Sequence, residues 1–91
     1  MPVYVVTYDL NKELKRPPIV AEIKKTPSWA KLSESSYAID TVESVAQVHT
    51  RFGKHLDSND TFYVVSLSRP WTGAGPVDVN KWLATRLGAA G

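Results

Sequence analysis

Apolar and polar positions change rhythm several times along the chain, and each change marks an element. In "VYVVTYD", Val3, Val5 and Thr7 alternate with Tyr4, Val6 and Tyr8, so the stretch predicts a strand with bulk on both faces. Pro17 and Pro18 are barred from a helix interior but preset the dihedral of a first turn. In the following "IVAEIKK", Ile19, Val20 and Ile23 form one stripe of a short helix, which Pro27 ends. "WAKLSESSYAID", from Trp29 to Asp40, reads as two short strands around a polar turn at 33–35. Thr41 is the expected N-cap of a second helix, with Glu43 near its positive end. Val45, Val48, Phe52 and Leu56 carry that helix's core stripe. "DSND" at 57–60 breaks it, and "TFYVVSLS" forms another strongly apolar strand. "RPWTGAGPV" reads as a loop, "DVNKWLATRL" as a closing helix with Asp78 as N-cap and Val79, Trp82 and Leu83 as its apolar side, and "GAAG" as a frayed tail.

The order strand, helix, strand, strand, helix, strand, plus a helical tail, predicts one α+β domain over residues 1–91. Its core spans 3–68, with a C-terminal loop and helix over 69–88. The pattern is the split βαβ of a ferredoxin-like βαββαβ sandwich, an antiparallel sheet of order 4-1-3-2 with an extra C-terminal helix. Helices are expected on one sheet face. The other face also carries apolar side chains, and a second subunit laid on it is the expected cover, since burial gains about 25 cal/mol per Å².

Composition narrows the classes. The balance of 11 basic and 9 acidic residues is only weakly positive, which permits nucleic acid without requiring it. The absence of cysteine excludes disulfide staples and thiolate metal sites. No apolar run reaches the ~20 residues that span a bilayer, and the N-terminus lacks the features of a secretory signal, so no membrane association and a cytoplasmic location are expected.

The predicted topology gathers polar groups that are distant in sequence. Asp9 at the end of the first strand, the turn Ser33, Glu34 and Ser35, and Asp60 and Thr61 at the start of the last strand all fall at one edge of the sheet. The first helix starts there with Lys12, Lys15 and Arg16; the second ends there with His55 and Asp57. Two readings stand side by side. Asp9 and Asp60 terminate strands and satisfy turn amides, or they hold Mg²⁺ or Mn²⁺ against a phosphodiester that the lysines and arginine position.

"VYVVTYDL" ending in Asp9, the Ser35-Ser36-Tyr37 step and "NDTFYVVSL" opening with Asp60 resemble the CRISPR-associated protein 2 family over about residues 3 to 68. The resemblance implies a homodimer with sheets face to face, in which Asp9 of each copy meets its mate at the two-fold axis. It further implies metal-dependent endonuclease activity on RNA or DNA, as in some members of the family, with Asp9 as catalytic residue and metal ligand, or a non-catalytic scaffold for an integrase partner, as in others. Glu34, Ser35 and Asp60 then support the site, and Lys12, Lys15 and Arg16 bind nucleic acid. The tail departs from the family, which usually ends in a fifth strand crossing to the partner's sheet. The competing reading is a non-catalytic scaffold or inhibitor that binds a protein partner through its sheet face and tryptophans.

Other motifs add little. His49 and His55 are expected as exposed helix residues, with His55 beside Asp57 as a remote general-base candidate. "WTGAGP" lacks the lysine of a phosphate-binding loop. Trp29, Trp71 and Trp82 are expected to anchor packing or an interface rather than to stack on bases.

Overall fold

A computed structural model describes residues 2–91. The first strand, β1, is Val3–Asp9, followed by a 3-10 turn over Glu13–Lys15 and helix α1, Arg16–Lys24, with Pro17 and Pro18 in its first turn. A hairpin follows, β2 Ser28–Ser33 and β3 Ser36–Asp40, then α2 Val45–Gly53, β4 Thr61–Ser66 and α3 Val77–Leu87. The four strands lie in the order β2-β3-β1-β4, all neighbours antiparallel, which is the anticipated 4-1-3-2 read from the other edge. The domain is an α+β sandwich of the ferredoxin-like kind with an added C-terminal helix. Among the described residues, no helix is long and apolar enough to cross a membrane.

The two-residue period of β1 sets the layers. Tyr4, Val6 and Tyr8 point to the side covered by α1 and α2 and join Ile19, Ile23, Tyr37, Ile39, Val48 and Phe52 in the buried core. Phe62 of β4 closes that layer, stacking on Phe52 with ring centroids 5.2 Å apart. The caps differ in detail from the sequence reading. Ser44, not Thr41, is the N-cap of α2: its hydroxyl accepts from the Gln47 N–H at 3.2 Å, and the Gln47 side chain accepts from the Ser44 N–H at 2.8 Å. This capping box satisfies two of the amides that every helix start leaves open. Thr41 acts one turn earlier, where its hydroxyl accepts from the Glu43 N–H and donates to the Glu43 carboxylate. Asp78 lies inside the first turn of α3, with Pro76 at the N-cap.

The larger surprise is where α3 sits. Ser28 pairs with Asp40, and Asp40 with Val3, so all three face away from α1 and α2. On that side Trp82 Nε1 donates to Ser28 Oγ at 2.9 Å and Arg86 Nη2 to the same oxygen at 2.7 Å, while Arg86 Nε donates to Asp40 Oδ2 at 3.0 Å. The guanidinium also lies over the Trp82 ring, 4.2 Å from its centroid. Helix α3 therefore clasps the second face of the sheet along β2, and the small residues Ala30 and Ala38 on that face are buried.

The tail is docked rather than frayed. Trp71 Nε1 donates to the Gly88 carbonyl at 2.8 Å, and the Gly91 N–H donates to the Trp71 carbonyl at 3.0 Å. Gly88 adopts a φ of 96°, a region that side chains avoid, and a Cβ there would stand 2.9 Å from Arg69 Cδ.

What stays open is the β1–β4 half of the second face. Val5 lies opposite Val65 and Thr7 opposite Tyr63; Tyr63 remains 62% exposed and Val65 49%.

Replacing Arg86 with alanine leaves Asp40, one of whose oxygens already lacks a partner, without its cation. We expect Arg86→Ala to lose about 1.5–3 kcal/mol, the usual worth of a hydrogen bond to a charged group. Urea unfolding followed by tryptophan fluorescence measures this, and an unchanged midpoint would show that α3 is held by its apolar side alone.

Candidate functional site

The edge anticipated from topology does form. Asp9 ends β1 opposite Thr61 and is exposed on the same side as Thr7, toward the open half-face. Among the described residues its carboxylate has no hydrogen-bond or ion-pair partner. Asp60 is the opposite case. Its side chain is fully buried: Oδ1 accepts from the Asn11 N–H at 2.9 Å, and Oδ2 accepts from Lys15 Nζ at 2.8 Å and from the Asp57 N–H at 3.0 Å. Lys15 leads these in holding the Asp60 carboxyl down to about 2, and the two backbone donors add to its effect.

The basic residues are equally engaged. Lys15 Nζ bridges Asp60, Asp57 and the Asn11 side-chain oxygen, three acceptors that account for its three protons. Arg16 takes Glu13 in a two-point grip, 2.9 Å from Nε and 3.2 Å from Nη2, and donates through Nη1 to the Glu34 carbonyl. It also lies 5.8 Å over the Tyr8 ring. The Glu34 carboxylate reaches Lys31 at 3.2 Å, while the Ser35 carbonyl accepts from the Tyr8 N–H at 3.0 Å and so continues the sheet. Lys12 is exposed and, among the described residues, has no ion-pair partner.

Fold and rim thus bring Lys15 to Asp60 and Arg16 to Glu34, but as a closed set of internal contacts that leaves Asp9 and Lys12 outside. Among the described residues, no three acidic or imidazole groups converge in a way that could hold a metal ion. At this edge, among the described residues, Asp9 is the one carboxylate without a partner. A second copy of the chain laid against this edge would add its own Asp9 carboxylate.

A second polar cluster was not singled out by sequence. Glu22 is 2% exposed, yet Arg51 Nη1 lies 3.2 Å from its Oε2, and His55 Nε2, Lys54 Nζ and Lys25 Nζ lie 3.0, 3.2 and 3.5 Å from its Oε1. Arg51 also donates to the Glu22 carbonyl, to Thr26 Oγ1 and, through two nitrogens, to Glu43. His55 consequently faces Glu22 rather than Asp57. A signal was present in the string. Glu22 falls between Ile19 and Ile23 and Arg51 between Val48 and Phe52, so each helix carries one charge, of opposite sign, in its apolar stripe. Burial pushes the Glu22 carboxyl up, but hydrogen bonds from His55, Lys54 and Arg51 and the nearby charge of Lys25 outweigh it and hold the group at about 2.

Neither family models, nor curated proteins, nor solved structures yield a match to this chain.

Because the folded state depresses Glu22 from an ordinary 4.5 to about 2, its ionised form stabilises the fold above the ordinary value. That contribution is lost as pH falls through this window, and Asp60, held low by Lys15, loses its share in the same direction. We expect Glu22→Gln to flatten the acid limb of the stability profile, as measured by unfolding across that range. Arg51→Ala, which strands the buried Glu22 carboxylate, should cost about 3 kcal/mol at neutral pH.

Proposed function

We propose that the protein is a non-catalytic binding module that works through the open β1–β4 half of its sheet. The observation carrying this reading is the pair Tyr63 and Val65, largely exposed beside Thr7 and Val5 on a face that α3 elsewhere closes. Such a contiguous apolar strip on an otherwise covered sheet is the mark of an interaction surface. The neighbouring charges support it from the other direction. Lys15 and Arg16 spend their donors on Asp57, Asp60, Glu13 and Glu34, which leaves few free cations at this edge for phosphates. Trp82 and Trp71 hold α3 and the tail in place, and Trp29 lies at the β2 edge beneath Lys24. The open sheet, more than the tryptophans, is the contact surface.

One observation favours a second reading, the metal-dependent nuclease implied by the resemblance to the CRISPR-associated protein 2 family. Asp9 stands at the rim of the open half-face with its carboxylate unengaged, where a face-to-face copy could bring its mate alongside. Both Asp9 carboxylates could then share Mg²⁺ or Mn²⁺, which keeps several waters and needs only one or two carboxylates.

The two readings separate cleanly. Incubated with labelled RNA and DNA in Mg²⁺ or Mn²⁺, the purified protein is expected to leave both intact, and Asp9→Ala to keep the wild-type stability and association state. Cleavage that disappears in Asp9→Ala would replace the binding module with the nuclease.

A further inference from the structure

We infer that a second copy of the chain docks beside this surface, edge to edge through β4 with the two-fold axis at Val64, so that the open faces of the two copies join into one; the inference rests on the binding-module reading and names a partner for it. The two edges of the sheet are treated differently. At one edge, β2 carries Lys31, an irregularity between Lys31 and Ser33, and α3 alongside, which are the usual ways of stopping a strand from pairing further. At the other, β4 is "TFYVVS", six residues with no charge, proline or bulge. A strand so uncharged and so rich in β-formers is a template for another strand.

The hydrogen-bond pattern fixes which groups it offers. The Leu67 N–H donates to the Val3 carbonyl at 2.8 Å, continuing the ladder in which Val65, Tyr63 and Thr61 sit opposite Val5, Thr7 and Asp9. In an antiparallel pair, inward-bonding and outward-facing residues alternate. Phe62, Val64 and Ser66 therefore turn their N–H and C=O groups away from β1, toward the free edge. An antiparallel copy centred on Val64 uses all three, placing Phe62 against the partner's Ser66 and Val64 against its own counterpart. Moving the axis to a neighbouring residue leaves part of this set unpaired or pushes it against the turn at Asp60.

Two further observations agree with this register. On the open face it sets Tyr63 directly across from the partner's Val65, an aromatic against a β-branched side chain, which is a favourable cross-strand pair made twice. At the strand ends it lays the turn before β4 of one copy, where the Asp57 side chain is 48% exposed, toward the partner's exposed Arg69. Lys15 bridges both Asp57 and Asp60 with a single positive charge against their two negative ones, so the residual negative charge there complements the partner's Arg69. The same arrangement runs one sheet through both copies and keeps the two Asp9 residues at opposite ends of the seam, since β1 pairs Asp9 with Thr61 and Val3 lies by Leu67.

The chain has no cysteine, so introduced thiols report the register directly. Residues 63 and 65 face each other across the seam at the closest spacing of an antiparallel pair, within disulfide reach. The double variant Tyr63→Cys with Val65→Cys is expected to form a covalent dimer under mild oxidation, while each single variant stays uncrosslinked. Val65→Lys, at an exposed position, is expected to keep the fold by circular dichroism and to weaken dimerisation at least about tenfold in sedimentation. A wild-type protein that sediments as a monomer at submillimolar concentration overturns the inference. So does ready crosslinking of Asp9→Cys, which marks a face-to-face dimer instead. Neither result bears on catalysis, whereas Asp9-dependent cleavage would sink the binding-module reading itself.

Discussion

A sheet with apolar side chains on both faces has to be covered twice, and this chain's helices cover one face and part of the other. Helices α1 and α2 cover the Tyr4, Val6 and Tyr8 side and bury its core. On the other side α3 reaches only β2 and β3, held where Ser28 Oγ accepts from both Trp82 and Arg86 and where Asp40 pairs with Arg86. The open strip on the molecule's surface follows from that shortfall. The uncovered strip, Val5, Thr7, Tyr63 and Val65, is apolar because it belongs to the same alternating strands whose other positions build the core. The exposure of that strip is a consequence of how the sheet is covered, before any question of catalysis arises.

The charged residues tell a complementary story. In a domain this small, burying a carboxylate as deeply as Glu22 is costly unless its oxygens are answered. Arg51 answers them and at the same time ties α1 to α2 and to the segment before α2 through Glu43. The Lys15 cluster does the same for the connections on either side of β1 and β4, joining Asn11 to Asp57 and Asp60. Both clusters span residues far apart in sequence, so they specify how the elements meet more than they stabilise any one of them. The charges that look like a phosphate-binding edge in the linear string are, in the folded chain, largely occupied with each other. Asp9 and Lys12 are the ones left facing outward.

Much of this was legible in the string for a physical reason. Strand and helix periods are local: Val3 to Tyr8 alternates, Val48 and Phe52 share a stripe, and the order of such segments together with antiparallel pairing leaves few sheet arrangements. The gathering of Asp9, Glu34, Lys15 and Asp60 at one edge followed from the same topology. The caps were harder, because Ser44 and Thr41 are both capable of accepting from a helix start and only the backbone path decides between them. The face chosen by α3 was not readable at all. Its apolar side, with Val79, Trp82 and Leu83, suits either surface of the sheet, and the choice was made by Ser28 and Asp40, more than forty residues away.

The sequence by itself therefore determined the elements, their order and the antiparallel sheet, since these depend on dihedral preference and hydrophobic period within a few residues. Only the tertiary structure decided that Lys15 and Arg16 are engaged internally, that Glu22 and Arg51 neutralise each other beneath two helices, and that β4 rather than β2 is the unguarded edge. Those outcomes turn on which side chains end up within hydrogen-bond reach, a distance set by the packing of the whole chain and by no local stretch of it.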